Sequence, residues 1–418
     1  MKEISVCDHK CGRTHFSYKK YRKVEWELKK RNSFSLVVVA LAATFALTAC
    51  TPPMPPEVKA EIAERYVTCV DGSLTLSVPD DFSEVAQTWI DGLTENCLGF
   101  TGSIVDTNTQ ADVVISTLGF APSCDVVASS PVGLDAVAIS VSVEGLDGVL
   151  FSPSLLHKAL SGEMTSWADP ELQALNPDLE LTDSPVVLRP SVRPQDIEAL
   201  NEWMTRLDPQ GWPGTPSGLT ANEVFDSEAI AIEIQNEGTL SVLPASFALG
   251  NSAQTIRVTG DQAQSSVGVD SESIYSAGTQ FRTKTSNSIV TAEIDSELPP
   301  LPVPGSDEAA LPWQAINLYS ISVCNGANEM LGRAFSRFAL RLDSQGTLPI
   351  SGFYEVPEQI RTAGVDAVSQ GLPEPTIPPT DAPAEVVPTE FPSDEPTEMP
   401  SEEPLEEVTD AATPEPTS

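Results

Sequence analysis

Histidine is almost missing from this chain of 418 residues: there are three, and His9 and His15 lie within the first fifteen positions. Only His157 remains as a general base for the body of the protein, so a Ser-His-Asp or Cys-His engine has one place to form. It sits in Leu155-Leu156-His157-Lys158-Ala159-Leu160, a helical pattern in which a packing or surface role is expected. Positive charge is scarce as well. Residues 1–49 hold 10 of the 23 Lys/Arg and 4 of the 60 Asp/Glu; the remainder carries 13 basic against 56 acidic side chains, near −43. Nucleic acid and anionic headgroups are poor partners for such a surface, and no nucleic-acid partner is expected. No G-x-S-x-G elbow, metal-ligand spacing or cofactor motif stands in the body of the chain, which argues against an extracytoplasmic hydrolase. No enzyme, metal or cofactor is expected.

Cysteine is sparse too, seven in all, and its placement is informative. Cys7-Asp8-His9-Lys10-Cys11 with His15 has irregular spacing and precedes an overlong basic segment, so a start codon assigned too early explains it better than a metal cluster. Lys29, Lys30 and Arg31 lead into SFSLVVVALAATFALTA, an apolar run shorter than the roughly 20 residues that span a bilayer. A basic lead, a short apolar stretch and small residues before the cut describe a secretory signal. Leu47-Thr48-Ala49-Cys50 resembles the lipobox of bacterial lipoproteins, in which the cysteine is acylated and becomes the new N-terminus. Residues after Cys50 are therefore expected at the extracytoplasmic face of the cell membrane, held by a lipid anchor. There Cys69, Cys97, Cys124 and Cys324 favour disulfides over zinc or thiol chemistry, with three pairings open.

Composition divides the rest. Residues 51–68 are proline-rich and read, with Cys50, as a stalk (50–68). From Gly371 to Ser418 there are 12 Pro and 13 Asp/Glu, no Lys or Arg and few apolar residues, which predicts a disordered acidic tail. The intervening stretch of about 300 residues exceeds what one core usually serves, so two lobes are expected. Strand-like runs at Leu74–Val78, Asp112–Ser116 and Ala136–Val141 alternate with helical ones. The helices are read at Ser83–Leu93, after Ser152-Pro153, along Ile197/Leu200/Met204/Leu207, and along Met330/Ala334/Phe335/Phe338/Leu342. The class is α/β.

Several segments, in order, look like the phosphate-binding protein of bacterial ABC importers, a class II periplasmic-binding-protein fold. Leu160-Ser161-Gly162-Glu163-Met164-Thr165-Ser166-Trp167-Ala168-Asp169-Pro170 is similar to the family's F-S-G-E-I-T-N-W-x-D-P. Val186-Val187-Leu188-Arg189 resembles the strand entering the ligand loop, and Gly238-Thr239-Leu240-Ser241-Val242-Leu243 resembles G-A-I-G-Y-V. Phe335 to Val368, with Gly346 and Val356-Pro357-Glu358, resembles the closing helix, glycine turn and final helix. The likeness covers residues 72–368 in fragments. It implies a two-lobed protein with crossing hinge strands at 134–142 and 315–323, lobe 1 at 69–133 plus 324–370 and lobe 2 at 142–314. It also implies a small-molecule ligand and an ABC permease with its ATPase as partners, and it argues against a paired-carboxylate glycosidase.

A phosphate site needs helix-start N–H groups, an arginine fork and hydroxyl donors. The expected first loop here is Ser77-Val78-Pro79-Asp80-Asp81-Phe82, where two carboxylates would face an anion; Asp80 or Asp81 is more simply expected to cap the helix starting near Ser83. The second turn shortens to Thr101–Asp106, and Thr117, after Ser116, replaces the expected carboxylate. After Arg189 the family's Ser-Gly-Thr becomes Pro190-Ser191-Val192-Arg193-Pro194-Gln195-Asp196. Pro194 removes an N–H donor and Asp196 answers the helix dipole. Arg189, Ser191 and Arg193 could still hold a carboxylate or another oxyanion, with Ser77, Asp80, Asp81, Ser116 and Thr117 as the other candidates. Arg189 could equally be an ion pair among so many acids. The expectation is a solute-binding lipoprotein with altered or lost phosphate specificity, or else a structural or regulatory envelope protein reusing the scaffold.

Overall fold

The computed structural model describes residues 55–106, 109–117, 122–222, 224–259 and 265–373. The signal, Cys50, the early Cys/His cluster and the tail beyond residue 373 lie outside the described residues. Among the described residues, no helix is long and apolar enough to cross a membrane.

One strand organises the fold. Val126–Ser142 runs for 17 residues and is buried from Ala128 to Val141. Its apolar run lacks a period of two because both faces are covered. Through residues 126–136 it pairs antiparallel with the return strand Ile316–Cys324. Beyond that strand come Val113–Thr117, then Gly72–Ser77, then Phe100–Val105, the last three parallel to one another. Through residues 137–142 the long strand pairs instead with Thr239–Pro244, which is joined in parallel by Val187–Leu188. Two sheet halves thus share one strand, and the expected crossing segments fall on Val126–Ser142 and Ile316–Cys324. The architecture is α/β, built as two halves on either side of the shared strand.

Two departures from the sequence reading stand out. The hairpin Phe281–Ser286/Ile289–Ile294, expected in the second lobe, extends the first half by pairing Ile289 with Ser129. Residues 56–65, read as part of a stalk, form the helix Pro56–Arg65 and bury Ala60 and Ala63. Proline fits the start of that helix, and Glu64 is held by Arg361 through a 2.5 Å contact.

Most expected helices are present, as Ser83–Asn96, Pro153–Leu160, Pro194–Leu207 and Glu329–Ala339. Leu342, however, starts the separate short helix Leu342–Gln345 and is exposed. The family-like motif has a structural rationale. Ser152 caps Pro153–Leu160, and Gly162 at φ +77° makes the left-handed turn a side chain would oppose. Trp167 is buried and donates Nε1–H to the Gly238 carbonyl at 3.1 Å, while Asp169 caps the helix Pro170–Leu175. His157 packs edge-on against Trp212, the packing contact expected of it. Disulfides join Cys69 to Cys97 and Cys124 to Cys324, which settles the pairing left open by the sequence.

Candidate functional site

The crossing strands place polar side chains side by side in an otherwise apolar centre. Asp135 on the long strand lies opposite Asn317 on the return strand, and Tyr319 lies two residues further on the same face. All three are buried. The helix Pro194–Leu207 packs against this crossing, and its first residues bring Arg193 and Asp196 onto it. From the other half, the 3₁₀ turn Asp80–Phe82 after the first strand delivers Asp81. Phe82 anchors that turn by stacking on Tyr319 at 4.7 Å and packing edge-on against Trp89 and Phe353. Gly133 makes room, since a Cβ there would lie 3.1 Å from the Phe82 ring.

Arg193, 4% exposed, is the hub. Its Nε and Nη2 donate to Asp196 at 2.7 and 2.8 Å, a bidentate fork. Its Nη1 donates to Asp81, and also to the Tyr319 hydroxyl at 3.3 Å. Tyr319 donates in turn to Asp81 at 2.5 Å, and Asn317 Nδ2 to Asp196 at 2.6 Å. Asp135 stands 3.8 Å from Nη2 and accepts from Ala136 N, Ser246 N and Ser246 Oγ. The Phe225 ring covers the guanidinium at 5.5 Å. One cation therefore faces three carboxylates.

Burial lowers the Arg193 pKa, but Asp196, Tyr319 and Asp81 outweigh it and hold the guanidinium charged. Burial also pushes the Tyr319 phenol well up, helped by the charges of Asp81 and Asp135, so it stays a donor. Asp135 rises to about 7, mainly by burial, against the opposing pull of Arg193 and the Ser246 hydrogen bonds. Because its pKa in the folded protein exceeds the ordinary 3.8, folding takes up a proton between those values. That contribution to stability is complete below pH 3.8 and is lost as pH rises through 7. Asp135→Asn should accordingly gain on the wild type by on the order of 3 kcal/mol between pH 5 and 8. Urea unfolding of both proteins at several pH values measures this; parallel pH curves would refute it.

The remaining sequence candidates are dispersed. Neither Asp80 nor Asp81 caps the helix at Ser83: the N-cap has no side-chain hydrogen bond, Asp80 is exposed and Asp81 is drawn away by Arg193 and Tyr319. The capping expectation is overturned because a buried charge pair outweighs a solvent-exposed cap. Arg189 turns to Glu233 at 2.7 Å and to the Ser191 carbonyl, so it is an ion pair. Ser191 Oγ accepts from Asn222 at 2.9 Å. Ser77, Ser116 and Thr117 are buried, and among the described residues no side chain of theirs hydrogen-bonds to the Arg193 cluster, although Thr117 is the sheet partner of Tyr319. A recess bounded by Arg189, Ser191, Arg193, Asn222 and Phe225 has no space for a water molecule. Among the described residues no group of three or more His, Cys, Asp or Glu could hold a metal ion.

Sequence reasoning missed Asp135, Asn317 and Tyr319. Asp135 had a signal, as the one charge within Val132-Gly133-Leu134-Asp135-Ala136-Val137-Ala138, a run that reads as fully buried.

No protein-family model matches the chain. Likewise, no curated protein matches it. Its likenesses lie among solved structures. Several of them are phosphate-binding proteins. A high-affinity periplasmic phosphate-binding protein solved with phosphate is 13% identical, covering 73% of this chain and 100% of that one, at TM-score 0.45. The phosphate-binding protein of Stenotrophomonas maltophilia is also 13% identical, covering 71% and 93%, at TM-score 0.45. An ABC-type phosphate transport receptor from Vibrio cholerae is 10% identical, covering 67% and 99%, at TM-score 0.41.

Proposed function

We propose that this protein is a solute-binding-type lipoprotein, anchored through Cys50 at the extracytoplasmic face, whose phosphate site is closed by its own side chains. It is not an enzyme in this reading. The carrying observation is the engagement of Arg193: Nε, Nη1 and Nη2 all donate to Asp196, Asp81 or Tyr319, and Asp135 stands 3.8 Å from Nη2. A phosphate placed about 4 Å from one of these carboxylates would meet repulsion of roughly 4 kcal/mol at an effective dielectric of 20. The two disulfides suit an oxidising exterior. An ABC permease is the partner implied by the family likeness.

The filled site also favours a second reading, a structural or regulatory envelope protein that keeps the closed scaffold without transport. Either way the folded protein should not take up phosphate. Titration calorimetry and thermal shift with millimolar phosphate should give no binding heat and less than about 1 °C of stabilisation. Micromolar phosphate binding would overturn the proposal.

A further inference from the structure

We infer that the place of the Asp81 carboxylate is a binding site for a small monovalent carboxylate, which the chain fills with its own side chain. The inference rests on reading this crevice as a former solute site, and it names the ligand chemistry that site retains.

The donors are built in. Arg193 Nη1 and the Tyr319 hydroxyl converge on one oxygen of Asp81. Both belong to side chains no more than 4% exposed and are oriented by contacts that do not involve Asp81. Asp196 grips the other edge of the guanidinium, and Phe82 stacks on the phenol. The Asp81 side chain is 18% exposed, so it enters from the solvent side. Its turn is held by Phe82 among Trp89, Tyr319 and Phe353, and by the bonds Phe82 N–H to Pro79 O and Ser83 Oγ–H to Asp80 O. Truncating Asp81 at Cβ therefore leaves two buried donors facing a void of carboxylate size with the surrounding turn intact. The occupant must be small, because the void is one carboxyl group. It must also carry a single charge, because Asp196 and Asp135 flank the same guanidinium.

Chemical rescue tests this. Asp81→Ala should melt several degrees below the wild type. Sodium formate at ten times its dissociation constant should then raise its midpoint by roughly 3–6 °C over an equal ionic strength of sodium chloride. The wild type should not respond to formate. Nor should Asp81→Asn, whose amide oxygen still fills the site. If Asp81→Ala does not fold in chloride, refolding is repeated in formate, with Asp81→Ser in parallel: recovery only in formate supports the inference. No formate-specific gain in either truncation overturns it, as does an equal gain in wild type and Asp81→Asn. Phosphate is run in the same series. Stabilisation of the wild type by phosphate would sink the proposed function while leaving the formate result to decide the present inference.

Discussion

Arg193→Met should lower the thermal midpoint by roughly 10 °C. The wild-type side chain is the counter-charge for Asp81, Asp135 and Asp196, the last two with side chains at most 1% exposed. Removing one partner of a buried ion pair costs about 3–5 kcal/mol because the charge left behind has neither water nor a counter-ion. Asp135 would relieve part of this by holding its proton to higher pH, so the loss should be greater at pH 8 than at pH 5. Arg193→Lys should recover little, because a single ammonium cannot make the fork to Asp196 while also reaching Asp81. Arg189→Ala provides the contrast. Its partner Glu233 is half exposed, and such pairs contribute about 1 kcal/mol or less. Calorimetric midpoints of the three variants are the measurement. Equal losses for Arg193→Met and Arg189→Ala would refute the central role given to the buried cluster.

The second large effect concerns the Cys124–Cys324 disulfide. It closes 200 residues of sequence, from the entry of the long strand to the end of the return strand. In the loop-entropy description a closure of that length restrains the unfolded chain by about 5 kcal/mol, against roughly 3–4 kcal/mol for the 28-residue loop of Cys69–Cys97. Replacing both Cys124 and Cys324 by serine should therefore lower the urea midpoint more than the corresponding Cys69/Cys97 pair. The comparison is made with oxidised proteins in urea. A greater loss from the short loop would show that the crossing strands hold together without the bridge.

These two features were unequally visible in the sequence. The strand at Ala136–Val141, the capped helix after Ser152 and the motif ending in Trp167-Ala168-Asp169-Pro170 are local or periodic signals, and each corresponds to an observed element. Charge was legible from composition, since it does not depend on how the chain packs. Arg193 was singled out, with Arg189 and Ser191, because it lies in the segment that takes the place of the ligand loop in the family the chain resembles.

What the sequence alone determined is the α/β class, the run of strands and helices, and the poverty of imidazole and cation. Only the tertiary structure decided which cysteines pair, which arginine is buried, and where the Asp81 carboxylate goes. Its partners are 112 and 238 positions away along the chain. A local reading could only set Asp81 against the nearest helix, as a cap. Folding brings it instead to a guanidinium removed from water, where a charge-assisted bond is stronger than one at the surface.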